Sequence, residues 1–314
     1  MIFTKKERII DIQKMKRLLI AVYECLYELC RRTIIRLFYR VRIMSPKRTI
    51  QYIIDHRCSV SRFGDGELSL MIDNESSIGF QSGDEELRKK LKSVFLVNNS
   101  NILICLPRYL NSVRGCTKKC KKYWRNWGRY DGLHRKSVKH IWGVLGKSYC
   151  FGDALITRPY IDCQNVKQAK KSFCMLKQIW NDRDILIVEG NKTRLGVGND
   201  LFNGAKSIKR ILAPATNAFS QYDRILDTIK EQYNGELILL ALGPTATVLA
   251  SDLSKLEMQA LDIGHIDIEY EWFLQRATTK VAISGKYTNE NIDGSNVSSC
   301  KDEKYLSQII SVIE

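Results

Sequence analysis

Proline is scarce in this 314-residue chain, with five in all, and neither proline nor glycine occurs in the first 45 residues. With 19 glycines, 44% hydrophobic and 27% charged residues, the composition excludes a collagen-like repeat, a low-complexity scaffold and a disordered chain. No internal repeat is visible. The N-terminus lacks the apolar core of about 7–15 residues and the small-residue cleavage site of a secretory signal. Long apolar runs are missing too. The most apolar stretch, residues 18–44, is broken by Glu24, Glu28, Arg31, Arg32, Arg36, Arg40 and Arg42, which excludes a membrane-spanning helix. The expectation is a cytoplasmic protein whose ten cysteines stay reduced despite their even number.

Acidic side chains are in short supply in two places. Residues 1–60 carry 14 basic and 5 acidic side chains, and residues 108–147 carry 12 basic ones against the single acid Asp131. These segments hold +9 and +11 of a total of +16, so the rest of the chain carries −4. A near-neutral body with two basic segments points to nucleic acid, anionic lipid or a phosphorylated substrate.

What is present begins with a helix. Leu19, Val22, Leu26, Leu29, Thr33, Leu37 and Val41 recur every three or four positions, the stripe of a long amphipathic helix. Its other face is rich in Arg and Lys, with Tyr23, Tyr27, Phe38 and Tyr39 nearby. Such a helix suits an anionic membrane interface; docking on the body or a second subunit is the alternative. Ser45-Pro46 reads as an N-cap and an N1 proline opening a second helix to about His56.

Beyond it, branched apolar runs at 102–106, 185–188, 210–213, 237–242 and 260–263 alternate with helical patterns near 199–207, 217–233 and 245–257. This alternation predicts an α/β fold with a doubly wound parallel sheet. Ligands then sit beyond the strands' carboxyl ends, in the loops after Val188, Ala213, Leu242 and Ile263. Residues 285–299 read as a polar surface loop before a short C-terminal helix. The chain divides into a helical extension (1–45), a body (46–290) and a polar tail (291–314).

Several motifs compete. Cys116, Cys120, His134 and His140 match a loose zinc-finger spacing inside the more basic segment, with Tyr123, Trp124, Trp127 and Tyr130 interleaved. That is the alternative function: a nucleic-acid-binding protein using residues 114–147. Gly196 and Gly198 imitate a dinucleotide fingerprint, but position 201 is Leu and the next strand does not end in an acid, which argues against NAD. Both glycines, and Leu242-Gly-Pro-Thr-Ala-Thr247, still suit close approach of backbone N–H groups to a phosphate.

Paired carboxylates at D-x-E or D-x-D spacing offer hard oxygen ligands to Mg²⁺ or Mn²⁺ and leave positions for a diphosphate. The chain has five such pairs: Asp65/Glu67, Asp73/Glu75, Asp84/Glu86, Asp182/Asp184 and Asp267/Glu269. Flanking glycines and Arg62 favour Asp65/Glu67. Asp84/Glu86 and Asp73/Glu75 read as helix-start or turn residues. Asp267/Glu269, after the final strand, is the second credible pair.

Ser61-Arg-Phe-Gly-Asp-Gly-Glu67, Gly79-Phe-Gln81, Thr157-Arg-Pro-Tyr160, Val188-Glu-Gly190, Arg194-Leu-Gly-Val-Gly-Asn-Asp-Leu-Phe202, Leu242-Gly-Pro-Thr-Ala246 and Asp262-Ile-Gly-His-Ile-Asp-Ile-Glu-Tyr-Glu-Trp272 together resemble the bacterial GT-D fold glycosyltransferases over residues 48–290. The resemblance implies a Rossmann-like fold, a UDP-sugar donor and a divalent metal, with the D-x-E motif falling on Asp65 and Glu67. It implies work on a bacterial surface-glycan or glycoprotein acceptor. The basic segment 108–147 adds a lipid-diphosphate-linked acceptor as an expectation, and the basic N-terminal helix adds the inner face of the cell membrane. Arg62, Arg158 and Arg194 then become phosphate ligands. Gly196, Gly198, Asn199, Gly243 and Thr245 would line the nucleotide pocket. Asp200, His265, Asp267 and Glu271 are the candidate general bases.

Overall fold

The structure is a computed structural model that describes residues 5–73, 76–97, 101–129, 132–288, 290, 291, 294 and 297–314. It divides into two units, residues 1–40 and Val41–Glu314.

The first unit is the predicted long helix, α1 (Lys5–Phe38). Leu19, Val22, Leu26, Leu29 and Leu37 of its stripe are exposed, as are Leu18, Tyr23 and Phe38. No helix among the described residues is long and apolar enough to cross a membrane.

The second unit runs through β1 (Arg42–Ile43), α2 (Pro46–His56), β2 (Ser59–Arg62), α3 (Asp65–Ile72), α4 (Glu85–Val94) and β3 (Ile102–Leu106). It continues with α5 (Lys118–Arg129), α6 (Leu133–Leu145), β4 (Cys150–Asp153), α7 (Val166–Trp180), β5 (Asp184–Gly190) and β6 (Ser207–Ala213). It ends with α8 (Tyr222–Gln232), β7 (Leu237–Ala241), α9 (Pro244–Lys255), β8 (Ala260–Asp262), α10 (Ile266–Leu274), α11 (Glu303–Gln308) and β9 (Ile309–Val312). The strands form one sheet in the order β1-β4-β3-β2-β8-β7-β5-β6-β9. Every pairing is parallel, as the alternation of strands and helices predicts.

The central strands explain themselves. Ile185–Val188 and Leu237–Leu240 are buried throughout, because a parallel sheet covered by helices on both faces needs apolar residues on both. Helix α2 starts where expected, with the Ser45 hydroxyl accepting from Arg48 N–H at 3.3 Å and Pro46 following. Helix α9 buries nearly every side chain from Pro244 to Ser254. Its Thr, Ala and Ser residues are small enough for it to press against β2 and β8.

Three expectations are corrected. Residues 199–206 are bends and turns and Ser207 already opens β6; there is no helix. There the Asn199 side chain accepts from Leu201 N–H at 2.9 Å, and Asn203 N–H returns to Asp200 O at 3.3 Å, contacts that compete with helical bonding. The body also starts before residue 46 and does not stop at 290. Val41 is buried and β1 pairs with β4, while β9 extends the sheet beside β6. The stretch read as a surface loop buries Lys286 and Thr288.

Zinc finds no site. The His134 ring bonds Leu110 O at 2.8 Å, and His140 lies edge-on to Phe95 at 6.3 Å. No group of three or more His, Cys, Asp or Glu among the described residues is placed to hold a metal. The two tryptophans of α5 are not available to stack on bases either, although Tyr123 is exposed. Trp124 and Trp127 are 7% and 9% exposed and pack on each other, with Trp124 also against Tyr109.

Candidate active site

The β2 and β8 carboxyl ends lie side by side at the middle of the sheet, and a cavity of about 510 Å³ opens above them. Its volume is that of a small-ligand or cofactor site.

One wall is the turn from β2 into α3. Gly64 caps the helix, and Asp65 and Glu67 occupy its first turn, where the helix dipole favours negative charge. Glu67 Oε2 accepts from Gly64 N–H at 2.7 Å, and Asp65 Oδ2 accepts from the Tyr123 hydroxyl on α5. The second oxygen of each carboxylate takes no hydrogen bond from another side chain among the described residues. Burial, reinforced by nearby Asp262, pushes the Glu67 carboxyl up to about 7. Asp262 itself accepts from Arg62 Nη2 at 2.8 Å and from the Thr247 hydroxyl at 3.1 Å.

Arg62 is held from three sides. Nε and Nη2 donate to Asp262, and Nη1 donates to Ala154 O at 3.1 Å. It lines the cavity with two of its five N–H groups left over. Gly264 must be glycine here, since a β-carbon would meet Arg62 Nη2 at 1.9 Å.

Arg158 and Lys280 also line the cavity. Arg158 Nη2 donates to both oxygens of Glu290 at 2.8 and 2.9 Å, and its Nε lies 3.6 Å from buried Glu269. Lys280 bonds Glu290 at 3.0 Å. Burial alone would raise the Glu290 carboxyl, but Arg158, His265 and Lys280 hold it well below the usual carboxylate range. Glu269 takes the amides of Tyr160 and Ile161 at 3.0 Å each, and burial pushes its carboxyl up to about 7 against Arg158.

The four candidate bases separate. His265 lines the cavity, and burial together with Arg158 drives its ring down to about 4, so it is neutral at physiological pH. Asp267 also lines the cavity, but its oxygens accept from Gly196 N–H, Asn199 Nδ2 and Lys286 Nζ at 2.7–3.0 Å. Glu271 is bound to Asn199 and Lys286 at 2.7 and 2.8 Å and does not line the cavity. Asp200 lies outside it, paired with Lys177 and the Tyr270 hydroxyl.

The predicted nucleotide-lining set divides similarly. Gly243 lines the cavity with φ +56°, and a β-carbon there would meet the Phe80 ring at 2.2 Å. Gly196 is dictated by packing, because a β-carbon would meet Phe202 at 2.4 Å. Gly198 and Thr245 are not cavity residues. Arg194 is turned away: Nη1 donates to Gly285 O at 2.8 Å and Nη2 to Ser298 O. It clamps the tail to the body.

Of the other carboxylate pairs, Asp84 caps α4 through Leu87 N–H at 2.8 Å, as expected. Asp184 bonds Lys206 and Ser207 at the surface, and Glu75, like Tyr130 and Asp131, lies outside the described residues. Sequence reasoning missed Tyr123, Lys280 and Glu290. The only available signal was the aromatic-basic mixture around Tyr123, which pointed to nucleic acid instead.

A sequence model described as glycosyltransferase GT-D fold matches residues 60–291. Glycosyltransferase GlyD of Streptococcus pneumoniae serotype 4 is 38% identical over 275 residues, covering 87% of this chain and 33% of that protein. The probable glycosyl transferase Gly of Streptococcus gordonii is 36% identical over 273 residues, covering 87% and 39%. The chain thus spans between a third and two fifths of the length of these relatives. A solved glycosyltransferase structure from Streptococcus sanguinis superposes with a TM-score of 0.79 at 36% identity, over 88% of this chain and all of that one. With the family pattern running from β2 to the loop carrying Glu290, and the same fold in a solved relative, the chain belongs to the glycosyltransferase GT-D fold family.

Proposed function

We propose that the chain is a metal-dependent glycosyltransferase that takes its sugar, a hexose, from a UDP-sugar. The observation that carries this reading is the pair Asp65 and Glu67, on one helix turn in a cavity that Arg158 and Lys280 also line. The donor set fits a hard divalent cation: two carboxylates, each with one oxygen engaged by the protein and one left over. Mg²⁺ characteristically takes one or two carboxylates plus substrate phosphates. When bound, Mn²⁺ or Mg²⁺ would neutralise charge developing on the leaving diphosphate.

The chain's own residues do the rest. Gly64 N–H and the Tyr123 hydroxyl fix the two carboxylates. Arg158 and Lys280 supply positive charge to the diphosphate, with Glu290 as their present counter-ion. His265, whose ring takes no protein hydrogen bond among the described residues, is the candidate base at the cavity wall that no protein group already occupies.

Asp65→Ala should abolish sugar transfer and UDP-sugar hydrolysis while the protein stays folded; full activity in that variant, or in excess EDTA, refutes the metal assignment. A thermal-shift screen of UDP-, GDP- and dTDP-sugars with Mn²⁺ tests the donor. A ligand at a hundred times its Kd stabilises the folded state by about 2.7 kcal/mol.

The acceptor is a glycan or a lipid-diphosphate-linked sugar, approached at the membrane's inner face. Helix α1 supports this, since its exposed leucines sit among arginines and lysines, the composition of an interfacial helix. Flotation with anionic liposomes should carry the full chain but not a chain starting at Val41. Flotation of both, or of neither, removes this role from α1.

A further inference from the structure

We propose that Cys116 and Cys163 form a reversible cross-strand disulfide, a modification site beside the cavity that takes a peroxide as its oxidant. The two residues face each other in an antiparallel bridge, Cys116 just before α5 and Cys163 just after the Arg158 turn. Thr117 N–H donates to Asp162 O and Gln164 N–H donates to Gly115 O, both at 3.0 Å. Neither cysteine amide crosses the bridge, so this is the non-hydrogen-bonded kind of pair. Its α-carbons stand about 4.5 Å apart with both side chains on one face. A disulfide spans α-carbons about 4.4–6.8 Å apart, so the backbone needs little movement to accept the bond.

The surroundings suit the chemistry. Cys163 is partly exposed; burial raises its thiol, and Arg108, whose Nη2 lies 3.6 Å from the sulfur, works against that rise. Cys116 is buried beside Cys120 and Tyr109. A hydrogen bond from Cys120, working against burial and helped by Tyr109 and Arg108, lowers the Cys116 thiol to about 7. The Cys163 thiol gives up its proton and attacks one peroxide oxygen; the O–O bond breaks and the released hydroxide takes that proton, leaving a sulfenic acid and one water. The Cys116 thiol then gives up its proton and attacks that sulfur; the S–O bond breaks, and the departing hydroxide takes the proton and leaves as a second water. Two thiols are thereby oxidised by two electrons as one peroxide is reduced to two waters. A dithiol reductant reverses the reaction.

The bond would join the segment entering α5 to the segment holding Asp162. Both belong to the cavity: Lys119 and Tyr123 of α5 line it, as does Asp162, and Tyr123 bonds Asp65. The proposal does not depend on the nature of the donor or acceptor.

The test uses the reduced full-length chain, treated with hydrogen peroxide, alkylated and mapped by mass spectrometry. The expected result is a Cys116–Cys163 linked peptide, reversed by dithiothreitol. The linked protein should melt higher by on the order of 5 °C. Cys116→Ser and Cys163→Ser should each remove the linked peptide and the shift, and exposed Cys174→Ser should remove neither. Because Cys163 is partly exposed, its variant keeps the test valid if Cys116→Ser fails to fold. A Cys116–Cys120 link, oxidation without any link, or a shift that persists in Cys163→Ser overturns the proposal.

Discussion

Lys286→Met would remove one charge from an enclosed ion cluster in the body while keeping an unbranched side chain of similar bulk. Lys286 Nζ donates to Asp267 Oδ2 at 2.7 Å and to Glu271 Oε1 at 2.8 Å, with the Lys286 and Asp267 side chains 5% and 1% exposed. Only neutral Asn199 and the Gly196 amide remain to satisfy the two carboxylates. Breaking a buried pair from one side costs about 3–5 kcal/mol, because the remaining charge is left uncompensated.

Asp267 relieves that cost by taking up a proton. Burial already raises its pKa, and Lys286 is the leading influence against that rise, so the variant's Asp267 should titrate higher still. A carboxylate whose folded pKa exceeds its unfolded value contributes fully below the unfolded pKa. That contribution is lost as pH rises through the folded value. Urea unfolding should therefore show a deficit of about 4 kcal/mol for Lys286→Met at pH 8, shrinking toward pH 5. Adding Asp267→Asn should recover most of it, since replacing both partners is far less costly than removing one. A deficit below about 1 kcal/mol at pH 8, the scale of an exposed pair, or one that does not change with pH, would refute the reasoning.

Other outcomes follow from single contacts. Gly243→Ala should destabilise the fold by about 1–3 kcal/mol in urea unfolding, since alanine is strained at that positive φ and its methyl group would displace Phe80. The variant should also weaken donor binding in titration calorimetry. His265, at about 4 in the folded state and about 6.5 when unfolded, contributes stability that is present above about 6.5 and lost as pH falls toward 4. His265→Gln should flatten that part of the stability–pH curve and lower kcat more than KM for donor. Arg210→Met leaves Glu189 alone in the core, where it now accepts from Arg210 Nη1 at 2.6 Å. Thermal denaturation should report a loss of about 3–5 kcal/mol.

The parallel sheet could be read from the sequence because β3, β5, β6 and β7 are apolar enough to register as buried runs. β2 (Ser-Val-Ser-Arg) and β4 (Cys-Phe-Gly-Asp) could not. Their polar residues need distant partners: the Ser61 hydroxyl donates to Thr247 O at 2.7 Å, and Asp153 pairs with Arg108 at 2.8 Å. Asp65 and Glu67 stood out through their glycine neighbours. Tyr123 could not be assigned, because 58 residues separate it from Asp65. Residues 285–299 read as solvated loop because a lysine among Gly, Asn and Ser normally is; Lys286 is buried because two carboxylates from α10 wait for it.

The sequence alone determined the alternation of strand and helix, the start of α2 and the location of charge, because these depend on neighbours a few residues apart. Only tertiary structure decided which residues form the site. Packing turned Arg194 toward the tail and Gly196 against Phe202, enclosed Asp267 with Lys286, and left His265 neutral at the cavity wall. Apart from Phe202 beside Gly196, those neighbours lie 19 or more residues away in sequence, and burial and pKa are set by the neighbours.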